Sequence, residues 1–296
     1  MKCGFVAVIG APNAGKSTLV NRMTGAKVSI VTHKVQTTRT TIRGVVIEGA
    51  SQIVFVDTPG IFKPRRRLDR AMVQRAWTGA EDADLVLFLI DVRKGIDEET
   101  SAILNKLKDL KQPVCLVLNK IDLVARDTLL ALTEDLNARH AFAATFMISA
   151  TNGDGVDDLR TYLAAHCLPG PWLYPPDQIS DAPKYHLAAE ITREKLYLRL
   201  HKELPYASTI ETETWTDQED GSIRIEQVIY VERDSQKPIV IGKRGATIRE
   251  IGAEARKELS EILGTRVHLF LYVKVRGKWG DDPARYQAMG LDFPDR

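Results

Sequence analysis

Short apolar runs punctuate the first part of the chain, at residues 5–9, 53–56, 85–90, 114–118 and 145–148, with stretches of helical character between them. Runs this short, without polar alternation, predict strands buried on both faces. Their alternation with helices predicts an α/β domain with a mostly parallel sheet and helices on both sides. Residues 41–48 and 52–57 break that rhythm, because only a Gly49-Ala50-Ser51 turn separates them. Such spacing predicts a hairpin, and so one antiparallel edge strand. After residue 168 the pattern changes. Residues 168–183 hold five prolines and a glycine, which predicts a stiff connector. Beyond it we expect a helix over 184–203, strands over 208–215 and 222–232, two helical segments flanking residues 242–245, and a last strand over 266–275. The expected division is therefore 1–168, a connector at 169–183, and a second domain of α-β-β-α-α-β order over 184–296.

The candidate chemistry lies where the predicted strands end. Gly10-Ala11-Pro12-Asn13-Ala14-Gly15-Lys16-Ser17 matches G-x-x-x-x-G-K-[ST], follows a strand and opens a helix that continues with Thr18. Glycines let the backbone wrap a phosphate, and the amides and helix N-terminus supply positive potential. Lys16 is placed to reach β- and γ-phosphates and the Ser17 hydroxyl to hold Mg²⁺. Asp57-Thr58-Pro59-Gly60 reads as D-x-x-G, with Asp57 facing Mg²⁺ through water and the Gly60 amide sensing a γ-phosphate. Asn119-Lys120-Ile121-Asp122 is similar to the N-K-x-D element of P-loop GTPases. There the aspartate accepts from the guanine N1–H and exocyclic amine, a donor pair that adenine lacks. Ser149-Ala150 resembles the next guanine-side loop, whose backbone amide meets the base carbonyl. Any one tetrapeptide is a weak signal. Four in this order, each at a strand's C-terminal end, point to the ligand side of an open α/β sheet.

Gln36-Thr37-Thr38-Arg39-Thr40 looks like switch I. One threonine there closes over Mg²⁺ when a γ-phosphate is present, with Thr38 the choice and Thr37 and Thr40 as alternatives. The position after D-x-x-G holds Ile61, which cannot hydrogen-bond a water, so slow intrinsic turnover is expected. The catalytic set read from the sequence is Lys16, Thr38, Gly60 and Asn13. In related GTPases a residue at the Asn13 position holds K⁺; here Asn13 serves either that role or that of a turn former.

Composition narrows the picture only a little. Apolar content of 44% and charged content of 27% are those of a globular chain. The 296 residues suffice for two cores. Cys3, Cys115 and Cys167 are scattered, which fits a reducing cytoplasm better than a disulfide framework. The longest apolar run falls well short of the ~20 residues a bilayer span needs. The net charge of +2 says little about partners. Local placement says more: Arg233, Lys237, Lys243, Arg244 and Arg249 stand against a single acid, Asp234. They surround Gly242-Lys243-Arg244-Gly245, a G-x-x-G loop between two helices of the kind that clamps about four nucleotides of RNA backbone in KH domains. With Ile241 and Arg249 these residues form the candidate RNA site. Ile239, Val240, Ile241, Ile248 and Ile251 line either an apolar base groove or the core, the latter preferred for Ile251. Arg65-Arg66-Arg67 reads as a solvated loop, with a contact to RNA phosphates as the alternative.

Taken together, the chain resembles the Era family of P-loop GTPases over nearly its whole length. Pro12-Asn13, Gln36-Thr37-Thr38-Arg39, Ala188-Ala189-Glu190-Ile191-Thr192-Arg193-Glu194-Lys195, residues 238–245 and Trp279-Gly280-Asp281-Asp282 carry the likeness. The resemblance implies a P-loop GTPase domain followed by a type II KH domain and GTP/GDP, Mg²⁺ and K⁺ as ligands. It also implies binding near the 3′ end of 16S rRNA on the small ribosomal subunit precursor, in the cytoplasm with peripheral contact to the inner membrane. A monomer is expected, since nothing in the sequence suggests an obligate dimer. A membrane-acting GTPase without an rRNA target and a P-loop kinase with a binding module are the competing readings.

Overall fold

A computed structural model of the chain describes residues 1–201, 203–277 and 279–294. Contacts divide it into two compact units. One comprises Met1–Ser29, His33–Asp181 and Tyr286–Arg296, the other Ile30–Thr32 and Ala182–Arg285.

The first unit runs β1 (Lys2–Gly10), α1 (Lys16–Thr24), β2 (Ile42–Glu48), β3 (Ser51–Asp57), α2 (Arg67–Glu81), β4 (Leu85–Asp91), α3 (Glu98–Leu107), β5 (Val114–Asn119), α4 (Arg126–Arg139), β6 (Ala144–Ile148), α5 (Val156–His166) and β7 (Leu168–Pro169). Its sheet order is β2-β3-β1-β4-β5-β6, with β7 paired antiparallel to the start of β1. All central pairings are parallel, and β2 alone runs antiparallel along β3, from Ile42 opposite Asp57 to Glu48 opposite Ser51. Every residue of β3, β4 and β5 is buried, as expected of strands covered on both faces. One face packs Ile9, Phe88 and Leu116 against Trp77 of α2, Ile103 and Leu107 of α3 and Leu136 of α4. Parallel β1, β3, β4, β5 and β6 bring Gly10, Asp57, Asp91, Asn119 and Ile148 to one end of the sheet.

The proline-rich segment is not a free spacer. Gln52 is fully buried, and its Oε1 accepts the backbone N–H of Leu173 and Tyr174 at 2.8 and 3.0 Å while its Nε2 donates to Tyr174 O. Further on, Val45 N donates to Ile179 O and Asp181 bonds Arg43 through backbone and side chain. The segment thus covers the free edge of β2, a common protection for an exposed strand. Prolines, which offer no N–H, account for its lack of regular structure, and the sequence pattern gave no sign of this attachment.

The second unit runs α6 (Lys184–Arg199), β8 (Ser208–Asp217), β9 (Ile223–Val231), α7 (Lys237–Ile241), α8 (Ala246–Leu263) and β10 (Val267–Val275). Its sheet order is β10-β9-β8, with β9 and β10 parallel and a bulge in β8 between Thr212 and Thr214. This is the type II KH arrangement anticipated from the element order. Leu196, Tyr197 and Ile251 from α6 and α8 pack on Ile229 and Val231, and Ala188, Ala255 and Leu259 pack on Ile225. Within α6, buried Arg193 donates from Nε to Glu190 Oε1 at 2.8 Å and stacks over Tyr197. Burial alone would lower the Arg193 pKa, but Glu190 and Tyr197 outweigh it and push it above its ordinary value. Trp279, also buried, donates from its indole to Ala207 O at 3.0 Å. No helix among the described residues is long and apolar enough to cross a membrane.

Candidate nucleotide-binding site and RNA-binding loop

The loop between β1 and α1 turns through positive φ at Gly10 (153°), Asn13 (65°) and Gly15 (101°). At Gly15 a Cβ would stand 2.1 Å from Asn119 Nδ2, so only glycine fits. Lys16 curls back over this loop, its buried Nζ donating to Gly10 O and Ala11 O at 3.1 and 3.0 Å. Burial lowers its pKa to about 8. The Lys16 ammonium is thus held at the mouth of the loop by two of its carbonyls, and Thr18 is half-buried in the first turn of α1.

Beside it three hydroxyl or carboxylate groups converge. Ser17 Oγ donates to Asp57 Oδ2 at 2.8 Å and lies 2.9 Å from Thr38 Oγ1. Thr37 instead turns its hydroxyl to Lys34 O at 2.7 Å. Of these two threonines, Thr38, the one chosen from the sequence, faces the cluster. Asp57 is fully buried and its Oδ1 has no hydrogen-bond partner. Burial raises its pKa, against the pull of the Ser17 hydroxyl. A buried carboxylate oxygen beside two hydroxyls is a donor set suited to a hard divalent cation. Gly60 passes so close to Pro12 that a Cβ would sit 3.1 Å from it, and Ile61 buries its side chain in the core while its N–H donates to Gly10 O.

On the base side, Asn119 is buried and joins three segments. Its Nδ2 donates to Ala14 O at 2.7 Å, and its Oδ1 accepts the N–H groups of Lys120 (2.8 Å) and Ala150 (3.0 Å). Lys120, at φ 72°, donates from Nζ to Asn13 O and to Asp91 Oδ2. Burial of Asp91 opposes its charge, yet Arg93 and Lys120 prevail and bring its pKa down to about 2. Asp122 is exposed. Ser149 and Ala150 are buried, with Ser149 N donating to Asp154 O. Arg22 of α1 bonds Ala150 O and Thr151 O, fixing this loop from below.

In the second unit, Gly242 (φ 76°), Arg244 (φ 53°) and Gly245 (φ 76°) carry the turn between α7 and α8. A Cβ on Gly242 would meet Thr247 Oγ1 at 2.2 Å. Lys243, Arg244 and Arg249 are exposed, and Arg249 Nη2 reaches Arg244 O at 3.5 Å. Of the five apolar residues proposed as groove or core, Val240 and Ile251 are fully buried, Ile239 is 58% exposed, and Ile241 and Ile248 are half-buried. The alternatives therefore divide: α7 and α8 turn Val240 and Ile251 into the core, Ile241 and Ile248 pack against its edge, and Ile239 alone of the five stands at the surface.

Known proteins agree with this geometry. Residues 5–120 match the 50S ribosome-binding GTPase family and residues 203–280 the KH domain family. GTPase Era of Afipia carboxidovorans is 66% identical over 293 residues, covering 99% of this chain and 95% of that protein. GTPase Era of Brucella suis is 64% identical over 293 residues, covering 99% and 94%. The chain belongs to the Era family of GTPases. Among solved structures, Era in complex with MgGDPNP and nucleotides 1506-1542 of 16S ribosomal RNA superposes with a TM-score of 0.93 at 38% identity, covering 98% of this chain and 99% of that one. A variant of Aquifex aeolicus Era bound to GDP·AlF4⁻ gives the same values. As an Era GTPase the chain hydrolyses GTP.

Sequence reasoning missed the bracing side chains of this Era site. Asn21 was not singled out, yet its Oδ1 accepts Val28 N and Ser29 N and its Nδ2 donates to Ser29 O, which pins the segment leaving α1 back onto that helix. Asp91 and Asp69 were missed as well. Their signal was available, since an acid at the end of an apolar strand or in a helix's first turn usually has a partner.

Proposed function

We propose that this GTPase works as a Mg²⁺-dependent switch whose KH unit binds the 3′ region of 16S rRNA on the small-subunit precursor and assists its maturation. The observation that carries the reading is the convergence of Ser17, Thr38 and Asp57 beside Lys16. Ser17 and Thr38 hydroxyls would hold Mg²⁺, with Asp57 facing it through water. The bound ion would supply charge neutralisation at the β- and γ-phosphates. Lys16 would add a second positive charge there, and the Gly60 amide, held close to Pro12, would sense a γ-phosphate. Asp122 accepts from the guanine donors, and the Asn119, Lys120, Ser149 and Ala150 braces hold the base loops in place.

Asn13 supports K⁺ as a further ligand. Its Nδ2 donates to His33 O at 2.9 Å, so a flipped amide would present Oδ1 beside a switch I carbonyl, two oxygens of the kind K⁺ takes. Buried Ile61 offers no water-positioning group, which leaves room for such help. Turnover in K⁺ should exceed that in Na⁺ at equal ionic strength.

For RNA, Lys243 and Arg244 are the exposed cations of the G-x-x-G turn, and the Era relative solved with 16S rRNA nucleotides supports the target. We place the protein in the cytoplasm as a monomer, with peripheral contact to the inner membrane; the three free cysteines fit a reducing compartment. The test is binding and GTP turnover with an oligonucleotide copying the 3′ end of 16S rRNA, for the wild type and for Lys243→Glu/Arg244→Glu. The double variant should lose RNA binding and keep intrinsic turnover. Equal RNA binding by the two proteins would remove the loop from the RNA site.

A further inference from the structure

Switch I carries Gln36 in a left-handed conformation, φ 58°, that residues with a side chain rarely adopt. The strain needs something to hold it, and the holder is on α2. Gln36 Nε2 donates to Asp69 Oδ1 at 2.9 Å. Asp69 is 3% exposed, and its Oδ2 accepts the backbone N–H groups of Arg65 and Arg66, both at 3.0 Å. One carboxylate therefore caps the first turn of α2, just after D-x-x-G, and grips switch I with its other oxygen. A second bond runs the same way, from Arg75 Nε of α2 to Thr41 Oγ1 at 3.2 Å. The two anchors bracket Thr38, which lies between Gln36 and Thr41 with its hydroxyl turned to Ser17.

We infer that Asp69 is a positioning residue that latches switch I to α2 through Gln36, so that Thr38 reaches Ser17 and Asp57 only while the segment after Gly60 is in place. The inference rests on the metal reading of Ser17, Thr38 and Asp57. Its consequence is specificity for nucleotide state. A latch on closed switch I raises affinity for a nucleotide that needs Thr38 and leaves one that does not unaffected.

Gln36→Glu is isosteric and sets two carboxylates against each other, which breaks the latch. Asp69→Asn keeps an oxygen for the α2 cap and, in the double variant, turns its amide toward the new glutamate. The experiment measures affinities of the full chain for fluorescent GDP and for a non-hydrolysable GTP analogue with Mg²⁺, in wild type, Gln36→Glu, Asp69→Asn and the double variant. Gln36→Glu should weaken the analogue about tenfold and GDP less than twofold, the worth of one charge-assisted bond. Adding Asp69→Asn should restore the analogue to within twofold to threefold of wild type. Equal loss for both nucleotides, or no restoration in the double variant, would overturn the latch. Thr38→Ala is measured alongside: if it leaves analogue affinity unchanged the metal reading fails, an outcome distinct from failure of the rescue.

Discussion

Asn119 gives the sharpest test of how the nucleotide site is held. It sits at the end of β5, 1% exposed, and makes three hydrogen bonds of 2.7 to 3.0 Å to Ala14, Lys120 and Ala150. Asn119→Ala removes all three and leaves Ala14 O and Ala150 N buried without their partner. Each bond is worth roughly 1 kcal/mol net, and a stranded buried group costs at least as much again. Part of this is recovered as water enters the gap, so we set the loss at roughly 3 kcal/mol, about two orders of magnitude in affinity. The loss should appear in binding rather than in fold stability, because the loops can relax alone but must be ordered to hold nucleotide.

Asn119→Asp separates hydrogen bonding from shape. It fills the same volume and keeps an acceptor for Lys120 N and Ala150 N, but places an anionic oxygen against Ala14 O where an N–H now donates. It should bind no better than Asn119→Ala. The assay is stopped-flow release of fluorescent GDP together with equilibrium titration, and faster release should carry most of the change. If either variant binds within threefold of wild type, the three-way brace is not what orders the site.

Three further outcomes follow from the same structure. Asp122→Asn should weaken GTP at least tenfold and improve xanthosine triphosphate, because the carboxylate's two guanine donors are exchanged for a mixed pair; competition binding reads this, and unchanged GTP affinity would refute the base assignment. Lys16 has its pKa lowered to about 8 by burial. Phosphate binding needs its ammonium form, so the logarithm of the GDP association constant should be flat below pH 7 and fall toward one unit per pH unit above 8; a flat profile to pH 9 would show that Lys16 stays charged. Glu190→Ala strips the counter-charge from buried Arg193 and should destabilise the second unit by about 3 kcal/mol in denaturant unfolding, with Arg193→Met on the same chain regaining most of it; a loss under about 1 kcal/mol would refute the burial argument.

The sequence made the sheet and the loop motifs readable for a physical reason. Fully buried strands need unbroken apolar runs, and phosphate loops need glycine where a Cβ would collide, as at Gly15 against Asn119. Both demands leave marks in residue type. The KH order was readable likewise, from two strand-like stretches and a glycine pair between helices. Among the switch I threonines the sequence favoured Thr38 but kept Thr37 and Thr40 as alternatives, since three nearby hydroxyls differ only in direction. The proline-rich segment misled because prolines report stiffness and say nothing of attachment; the hint lay elsewhere, in a glutamine at position 52 inside an apolar strand. Asn119 was read as part of a guanine motif, and the structure adds that its side chain binds the protein's own loops.

That last point changes how the base site relates to the phosphates. Lys120 Nζ bonds Asn13 O, Asn119 Nδ2 bonds Ala14 O, and the Asn13 side chain bonds His33 O of switch I. The loop between β1 and α1 is therefore tied on one side to the end of β5 and on the other to His33. None of these ties is made by an apolar contact, so each is directional and weakens as its donor and acceptor move out of line. A displaced base would disturb the phosphate loop through Asn119 and Lys120 before it disturbed any core packing. Asp122 makes no such tie. Changing Asp122 should thus alter which base binds while sparing phosphate geometry, and changing Asn119 should weaken every nucleotide alike, whatever its base.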